Sequence, residues 1–235
     1  MIELAVIDLA GTLVRDDGAV EGAFVDALRT VGAADSDAGD DLLDAVRGTM
    51  GRSKIAVFRE ILGDEGRAQA ANAAFESAYA ARIAAGEITP LPTAEDALAT
   101  LHDAGIRIAI TTGFSPRTRD ALLEAQGWSS IPDVALSPGD GVRGRPAPDL
   151  VLTAAIRTAT DDVRDIAVVG DTTNDLLSGH RAGAGIVAGV TTGAHDSATL
   201  ATAPHTHIVD SIGAFAELVT ETRAGAETYS TAAGS

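Results

Sequence analysis

The sequence predicts an α/β fold in which a parallel sheet is flanked by helices and a helical segment is inserted after the first strand. From position 90 onward, short apolar runs alternate with helical stretches of about 10 to 15 residues, a pattern typical of a parallel sheet. Residues 20–86 are instead Ala-rich and helical, with no convincing strand. We therefore expect an α/β core over 1–15 and 90–223, a helical cap over 16–89 and a disordered tail over 224–235.

The individual elements follow from the same patterns, taken in chain order. The run ELAVIDL at 3–9 predicts a buried strand, because it is short, apolar and followed by Gly. The prolines of TPLPTAED at 89–96 mark the return from the insert. Beyond that point we expect strands at 106–113, 133–140, 165–172, 184–193 and 207–210, separated by helices at 116–127, 146–159 and 174–184 and followed by a last helix at 211–222.

Composition and charge exclude several classes of protein. A formal net charge of −17 argues against a nucleic-acid partner, because binding to a phosphate backbone relies on clustered Lys and Arg. No run of about 18 apolar residues and no basic leader occurs, so we expect a cytoplasmic protein without a membrane partner. The absence of cysteine excludes a thiolate nucleophile and leaves oxygen or imidazole as metal ligands, which favours a hard cation.

Polar side chains recur where the predicted strands end. Ligands of a parallel sheet gather at the carboxyl ends of its strands, so four polar stretches are expected to meet there. They are Asp8 with Gly11 and Thr12, Thr111 and Thr112 before Gly113, Arg143 and Arg145, and Asp171 with Asp175. Of the two arginines, we expect Arg143 to face solvent and Arg145 to face the site.

The order and wording of these stretches resemble the haloacid dehalogenase superfamily of aspartate-nucleophile hydrolases. The resemblance spans most of the chain and implies a Rossmann-like core in which Asp8 attacks phosphorus. It implies that Thr112, with Thr111 as the alternative, binds the phosphoryl oxygens together with Gly113 and Arg145. A carboxylate can form an acyl phosphate while fixed donors and a divalent ion neutralise the phosphoryl charge.

The same resemblance implies Mg²⁺ as the cofactor. Its ligands would be Asp8, the backbone carbonyl of Ala10 and Asp171, while Asp175 would orient metal-bound water. A hard divalent ion prefers such oxygen ligands.

Two departures from the common phosphatase pattern point to a subfamily. Ala10 occupies the place of a second acid, which in phosphatases protonates an alcohol leaving group. Arg145 precedes Pro146 where Lys is usual. The combination resembles phosphonoacetaldehyde hydrolase (phosphonatase) and its relatives, in which the leaving group is carbon.

The stretch Met50–Ile55 (MGRSKI) resembles the subfamily's M-G-x-x-K-I motif, whose lysine forms a Schiff base with the substrate aldehyde. Lys54 is the only lysine of the chain. We expect its pKa to be lowered by Arg52 and by exclusion from water, since imine formation needs a free amine. Val57 and Phe114 stand where the subfamily has a His and an aromatic hydroxyl.

The leading hypothesis is Mg²⁺-dependent hydrolysis of the C–P bond of phosphonoacetaldehyde or a close carbonyl phosphonate, through a Lys54 imine and an Asp8 aspartyl phosphate. The alternatives are a small-molecule phosphomonoesterase, a metal-independent dehalogenase, and a non-catalytic protein that binds a phosphate ligand. The subfamily resemblance also implies a homodimer formed through the cap. Asp16 and Asp17 are interpreted as hinge residues at the entry to the cap, with a functional role as the alternative.

Overall fold

The structure is a computed structural model that describes residues 1–33 and 46–233. Its strands are β1 Leu4–Asp8, β2 Val14–Arg15, β3 Thr89–Pro90, β4 Arg107–Thr111, β5 Val134–Leu136, β6 Ile166–Gly170, β7 Ile186–Val190 and β8 His207–Val209. Six of them form one parallel sheet in the order β5-β4-β1-β6-β7-β8. The predicted α/β fold class is confirmed, with β1 at the centre of the sheet.

Helices cover both faces of this sheet and fill the insert. Their bounds are α1 Ala19–Thr30, α2 Lys54–Leu62, α3 Glu65–Ala84, α4 Ala94–Asp103, α5 Pro116–Ala125, α6 Asp149–Arg157, α7 Thr173–Ala182, α8 Ser197–Leu200 and α9 Ile212–Ala233. The side chains of β1 show how the faces are divided. Ala5 and Ile7 belong to the apolar cluster that includes residues of α4, α5 and α9, whereas Leu4 and Val6 belong to the cluster under α6. This alternation is that of a strand buried on both faces.

The insert lies between β2 and β3, which pair as a short antiparallel ribbon. Val14 lies opposite Pro90 and Arg15 opposite Thr89, so the outgoing and returning chains are adjacent where the sequence predicts the cap to begin and end. Within the insert, α1 and α2 both pack against α3. The division into two domains stays a prediction.

The C-terminal helix is longer than predicted. Instead of a disordered tail from 224, α9 continues to Ala233, and residues 234–235 lie outside the described part of the chain. The physical reason is composition, because Ala and Glu have high helix propensity and extend a helix that is already anchored by its first turns. Among the described residues, no helix has the length and apolar character needed to span a bilayer.

Candidate active site

Three carboxylates converge on one arginine at the carboxyl ends of the central strands. Asp8 is the last residue of β1, Asp171 follows β6, and Asp175 lies in the first turn of α7. Arg145 Nη1 lies 2.5 Å from Asp8 Oδ1 and 2.8 Å from Asp175 Oδ1. All four side chains are buried. The structure thus brings together the predicted nucleophile, the predicted metal acids and the predicted phosphate-binding arginine.

The two candidate threonines have different surroundings. The Thr111 hydroxyl accepts a hydrogen bond from Arg145 Nη2 at 2.6 Å, which engages it in orienting the guanidinium. Thr112 lines the cavity above Asp8, and its hydroxyl accepts a hydrogen bond from the Phe114 backbone N–H at 3.2 Å. The geometry therefore favours Thr112 over Thr111 as a direct phosphate ligand. Arg143 is exposed and pairs with Asp149 at 2.7 Å, away from the site.

Lys54 reaches the site because the turn before α2 packs directly on the loop that follows the carboxyl end of β4. The Lys54 backbone N–H donates to the carbonyl of Gly113 at 3.3 Å, and Asn174 donates to the carbonyl of Met50 at 2.8 Å. A Cβ on Gly113 would overlap the Arg52 carbonyl, and one on Gly51 would meet the Thr172 hydroxyl at 2.5 Å. Gly113 and Gly51 thus permit the close approach that delivers Lys54. Gly113 therefore has a packing role against the insert, in addition to its predicted role as a phosphate-binding residue.

The Lys54 ammonium group is enclosed by aromatic rings. Its Nζ lies 5.4 Å from the ring centroid of Phe24, 6.0 Å from Phe75 and 5.5 Å from Phe114, and the residue is only 7% exposed. Burial lowers the pKa of Lys54 to about 8, with Arg145 adding to the fall and nearby carboxylates opposing it. Both effects are expected, because burial and a neighbouring cation disfavour the charged amine.

The predicted contribution of Arg52 to this pKa is wrong. The Arg52 guanidinium pairs with Glu60 at 2.6 Å, at the surface. The arginine that lowers the Lys54 pKa is Arg145, which reaches the cavity from the loop after β5. The sequence brings Arg52 close to Lys54 along the chain, but α2 turns the two side chains apart.

The donor set fits a hard cation. Burial and the charges of Asp8 and Asp175 raise the pKa of Asp171 well above its usual range, so the site is short of positive charge. A Cβ on Gly11 or Gly193 would overlap Asp171 Oδ2, and this oxygen accepts the Ala194 backbone N–H at 2.7 Å. Within residues 1–33 and 46–233 no cluster of three metal-ligating His, Cys, Asp or Glu side chains is found. The predicted set has only two such side chains, since its third oxygen is the Ala10 carbonyl.

Asp175 is held by the start of its own helix. Its Oδ2 accepts hydrogen bonds from the backbone N–H and the hydroxyl of Thr172, and its Oδ1 pairs with Arg145. Burial raises the pKa of Asp175 to about 6 against the opposing effect of Arg145. The carboxylate is thereby fixed beside the predicted ligands, consistent with an orienting role.

Asp16 also lies at the site, and the fully buried Tyr79 contacts it. The sequence predicts a functional role of Asp16 only as the alternative and does not single out Tyr79. Asp16 lines the same cavity of about 370 Å³ as Asp8 and Lys54, instead of serving only as a hinge residue. The Tyr79 hydroxyl donates to Asp16 Oδ1 at 3.4 Å, and its ring lies 4.7 Å from that of Phe114. The spacing of Phe75 and Tyr79, four residues apart on one helix, is a sequence signal for a shared aromatic face.

Comparisons with known proteins show the family of the chain. A family model described as haloacid dehalogenase-like hydrolase matches residues 2–183. The chain belongs to this family. A relative matched over 93% of both chains is "Probable phosphatase IndB" of Dickeya dadantii, at 32% identity over 225 residues. The chain is thus similar over nearly its whole length to a protein whose name is that of a phosphatase.

Other relatives match a smaller part of the hydrolase. "Phosphonoacetaldehyde hydrolase" of Bacillus cereus (strain AH187) is 32% identical over 98 residues, which is 40% of this chain and 36% of that protein. A crystal structure of a phosphonoacetaldehyde hydrolase-like protein from Oleispira antarctica has a TM-score of 0.79 at 21% identity, covering 94% of this chain and 92% of that chain. A hydrolase from Pseudomonas syringae has a TM-score of 0.78 at 22% identity, covering 90% and 94%. These two structures share the fold.

Proposed function

We propose that this hydrolase cleaves the carbon–phosphorus bond of phosphonoacetaldehyde or a close carbonyl phosphonate. The observation that carries the proposal is the placement of Lys54, a buried amine with a lowered pKa, in one cavity with Asp8. An amine of this kind can form an imine with an aldehyde. Ala10 supports the same conclusion, because a carbon leaving group has no alkoxide for a second acid to protonate.

The residues of the site act on two different ends of the substrate, the phosphoryl group and the aldehyde. Thr112 and Arg145 hold the phosphoryl oxygens, and Asp8 takes the phosphoryl group as an aspartyl phosphate. Lys54 holds the aldehyde carbon as a protonated imine, which accepts the electron pair of the breaking C–P bond and leaves an enamine. Mg²⁺ bound by Asp8, the Ala10 carbonyl and Asp171 would offset the negative charge of the phosphoryl oxygens.

A comparison of substrates tests the proposal. Purified protein is assayed for phosphate release from phosphonoacetaldehyde and from simple phosphomonoesters, each with and without added Mg²⁺. We expect Mg²⁺-dependent release, with the aldehyde phosphonate turned over at least about 10²-fold faster in kcat/KM, since only it uses the imine. Faster turnover of the phosphomonoesters would contradict the proposal, and equal turnover without Mg²⁺ would contradict the metal assignment.

A phosphomonoesterase is the second candidate function, and Lys54 also supports it. With a pKa of about 8, the ammonium form is present at neutral pH. It could donate a proton to an alcohol leaving group, which is the role of the second acid whose place Ala10 occupies. The full-length relative whose name is that of a phosphatase favours the same activity. The two functions assign Lys54 opposite protonation states.

The pH dependence of kcat/KM therefore separates the two functions. For imine formation the neutral amine is the reactive form, so the rate rises with pH and levels off above the Lys54 pKa of about 8. For a proton donor the charged form is required, so the rate falls above the same value. Initial rates measured between about pH 6 and 10 on both substrates give the sign. A Lys54→Arg control should lack the inflection, and a falling limb on phosphonoacetaldehyde would contradict the imine.

A further inference from the structure

Asp16 lies at the junction of the ribbon and the insert, with its carboxylate held in place from two sides. Its oxygens accept the Val20 backbone N–H at 3.2 and 3.3 Å, at the first turn of α1. The Tyr79 hydroxyl of α3 donates to Oδ1 at 3.4 Å. Asp16 is only partly buried and lines the cavity that also contains Lys54 and Asp8. The carboxylate is therefore both fixed and open to a ligand.

Three positions at which the resemblance implies a proton-transfer or orienting group are apolar in this chain. Ala10 and Val57 carry no titratable group, and Phe114 has no hydroxyl. Tyr79 brings a hydroxyl next to the Phe114 ring from a different helix, with the two ring centroids 4.7 Å apart. Its ring also stacks on Phe75, which borders the Lys54 ammonium. The Asp16 carboxylate on the cavity surface and the buried Tyr79 hydroxyl bonded to it are thus connected, through these rings, to the surroundings of Lys54.

We propose that Asp16 is the acid–base group on the leaving-group side of this cavity and that Tyr79 is its positioning residue. The inference rests on the proposed function, since the proton it moves is that of the Lys54 imine. Asp8 and the carboxylates around Arg145 stand at the phosphoryl end. Asp16 serves the opposite end, where Lys54 meets the aldehyde.

The proton transfers balance as follows. The neutral Lys54 amine adds to the aldehyde carbon, and the Asp16 carboxylate takes one proton from the nitrogen, which carries a positive charge after the addition. Asp16 passes this proton to the former carbonyl oxygen, which gives a neutral carbinolamine. A proton taken up from solvent then reaches that hydroxyl through Asp16, and the hydroxyl leaves as water while the nitrogen lone pair forms the C=N bond. The products are the protonated imine, one water and the Asp16 carboxylate.

The electrostatics of the pair support this exchange. Burial raises the pKa of Asp16, opposed by the Val20 N–H, the Lys54 charge and the Tyr79 hydroxyl, while Glu21 adds to the rise. Among the carboxylates that oppose the fall in the Lys54 pKa, Asp16 has the largest effect, ahead of Asp8 and Asp171. The pKa values of the two groups are therefore moved toward each other, which favours proton exchange between them.

The test measures imine formation directly in the full-length protein. Wild type and variants are mixed with phosphonoacetaldehyde, quenched with borohydride at increasing times, and analysed by mass spectrometry for the reduced adduct on Lys54. Asp16→Asn is the central variant, because the Asn amide oxygen can still accept the Val20 backbone N–H but the amide cannot carry the proton. Asp64→Asn is the matched control, since the Asp64 carboxylate also accepts a backbone N–H at the start of a helix of the insert, at 2.7 Å from Arg67, but does not line this cavity. Asp16→Glu tests rescue, and Tyr79→Phe tests positioning.

We expect adduct formation in Asp16→Asn to slow by at least about 10²-fold, the usual effect of losing a general acid–base group. Asp16→Glu should recover part of the rate, Asp64→Asn should match wild type, and Tyr79→Phe should slow about tenfold, as for one lost hydrogen bond. A wild-type rate in Asp16→Asn would overturn the assignment while the proposed function stands. Loss without rescue by Asp16→Glu, or equal loss in Asp64→Asn, would make the role structural. No adduct in wild type would overturn the proposed function itself.

Discussion

A Lys54→Arg variant is expected to lose cleavage of phosphonoacetaldehyde by at least about 10³-fold, together with the borohydride-trapped adduct. Arginine keeps the positive charge of the cavity, but a guanidinium does not form an imine under these conditions. The phosphoryl end of the site, made by Asp8 and Arg145, does not depend on Lys54. The same variant should therefore still release phosphate from acetyl phosphate to the extent that wild type does, because that leaving group needs little activation.

Because the chain has a single lysine, a trapped adduct on a side-chain amine can be assigned to one residue. Lys54 carries the only side-chain amine of the sequence, and the remaining amine is the N-terminus, which pairs with Asp165 at 2.6 Å. A matched control moves the lysine by two residues, combining Arg52→Lys with Lys54→Arg. Because residue 52 directs its side chain to Glu60 at the surface, this protein should carry a lysine yet form no adduct. An adduct at position 52, or wild-type cleavage by Lys54→Arg, would contradict the imine mechanism.

The parts of the molecule that follow local rules could be predicted from the sequence. Short apolar runs that end near Asp8, Thr111 and Gly170 predict the strands, because a strand buried on both faces has a nearly continuous apolar sequence. The carboxyl ends of parallel strands meet at one edge, so Asp8 and Asp171 were expected to lie close together. The resemblance to a known family added the roles of Lys54 and Arg145, which spacing alone does not give.

The remaining features depend on packing between distant segments. Asp16 is a site residue only because α3 brings Tyr79 across 63 positions of sequence to meet its carboxylate. Arg145 and not Arg52 lowers the Lys54 pKa, because helix direction and not sequence distance decides which charge is near. Gly193 leaves room for the Asp171 carboxylate, and no local sequence pattern indicates this contact. Tertiary contacts of this kind leave no periodic signal in a single sequence.

The close packing of carboxylates that serves the proposed activity is expected to lower the stability of the folded protein. Asp171 and Asp175 both have raised pKa values, partly because Asp8 is close to each of them. Arg145 compensates Asp8 and Asp175 directly, but three buried acids exceed its one charge. Removing the charge of Asp8 should therefore relieve repulsion in the folded protein, a common cost of a built active site.

An Asp8→Asn variant is accordingly expected to lose phosphate release from every substrate by at least about 10³-fold while its melting temperature without Mg²⁺ stays level or rises. Asn has the shape of Asp, its amide oxygen can accept from Arg145, and its amide can donate to the Thr12 hydroxyl, which lies 3.1 Å from Asp8 Oδ2. The fold is kept, but an amide does not form an acyl phosphate. Phosphate release and thermal unfolding measured on the same samples give both results.

Asp140→Asn is the matched control for this variant, because it weakens a second partly buried ion pair at a distance from the nucleophile. Asp140 pairs with Arg119 at 2.6 Å, and the second acid that pairs with this arginine, Asp120, is 64% exposed, so water screens its repulsion of Asp140. Asp140→Asn should therefore lower the melting temperature and leave turnover near wild type, the reverse of Asp8→Asn. Turnover surviving in Asp8→Asn would require a different nucleophile, and a large fall in its melting temperature would mean that Asp8 stabilises the fold through Arg145 more than it repels Asp171.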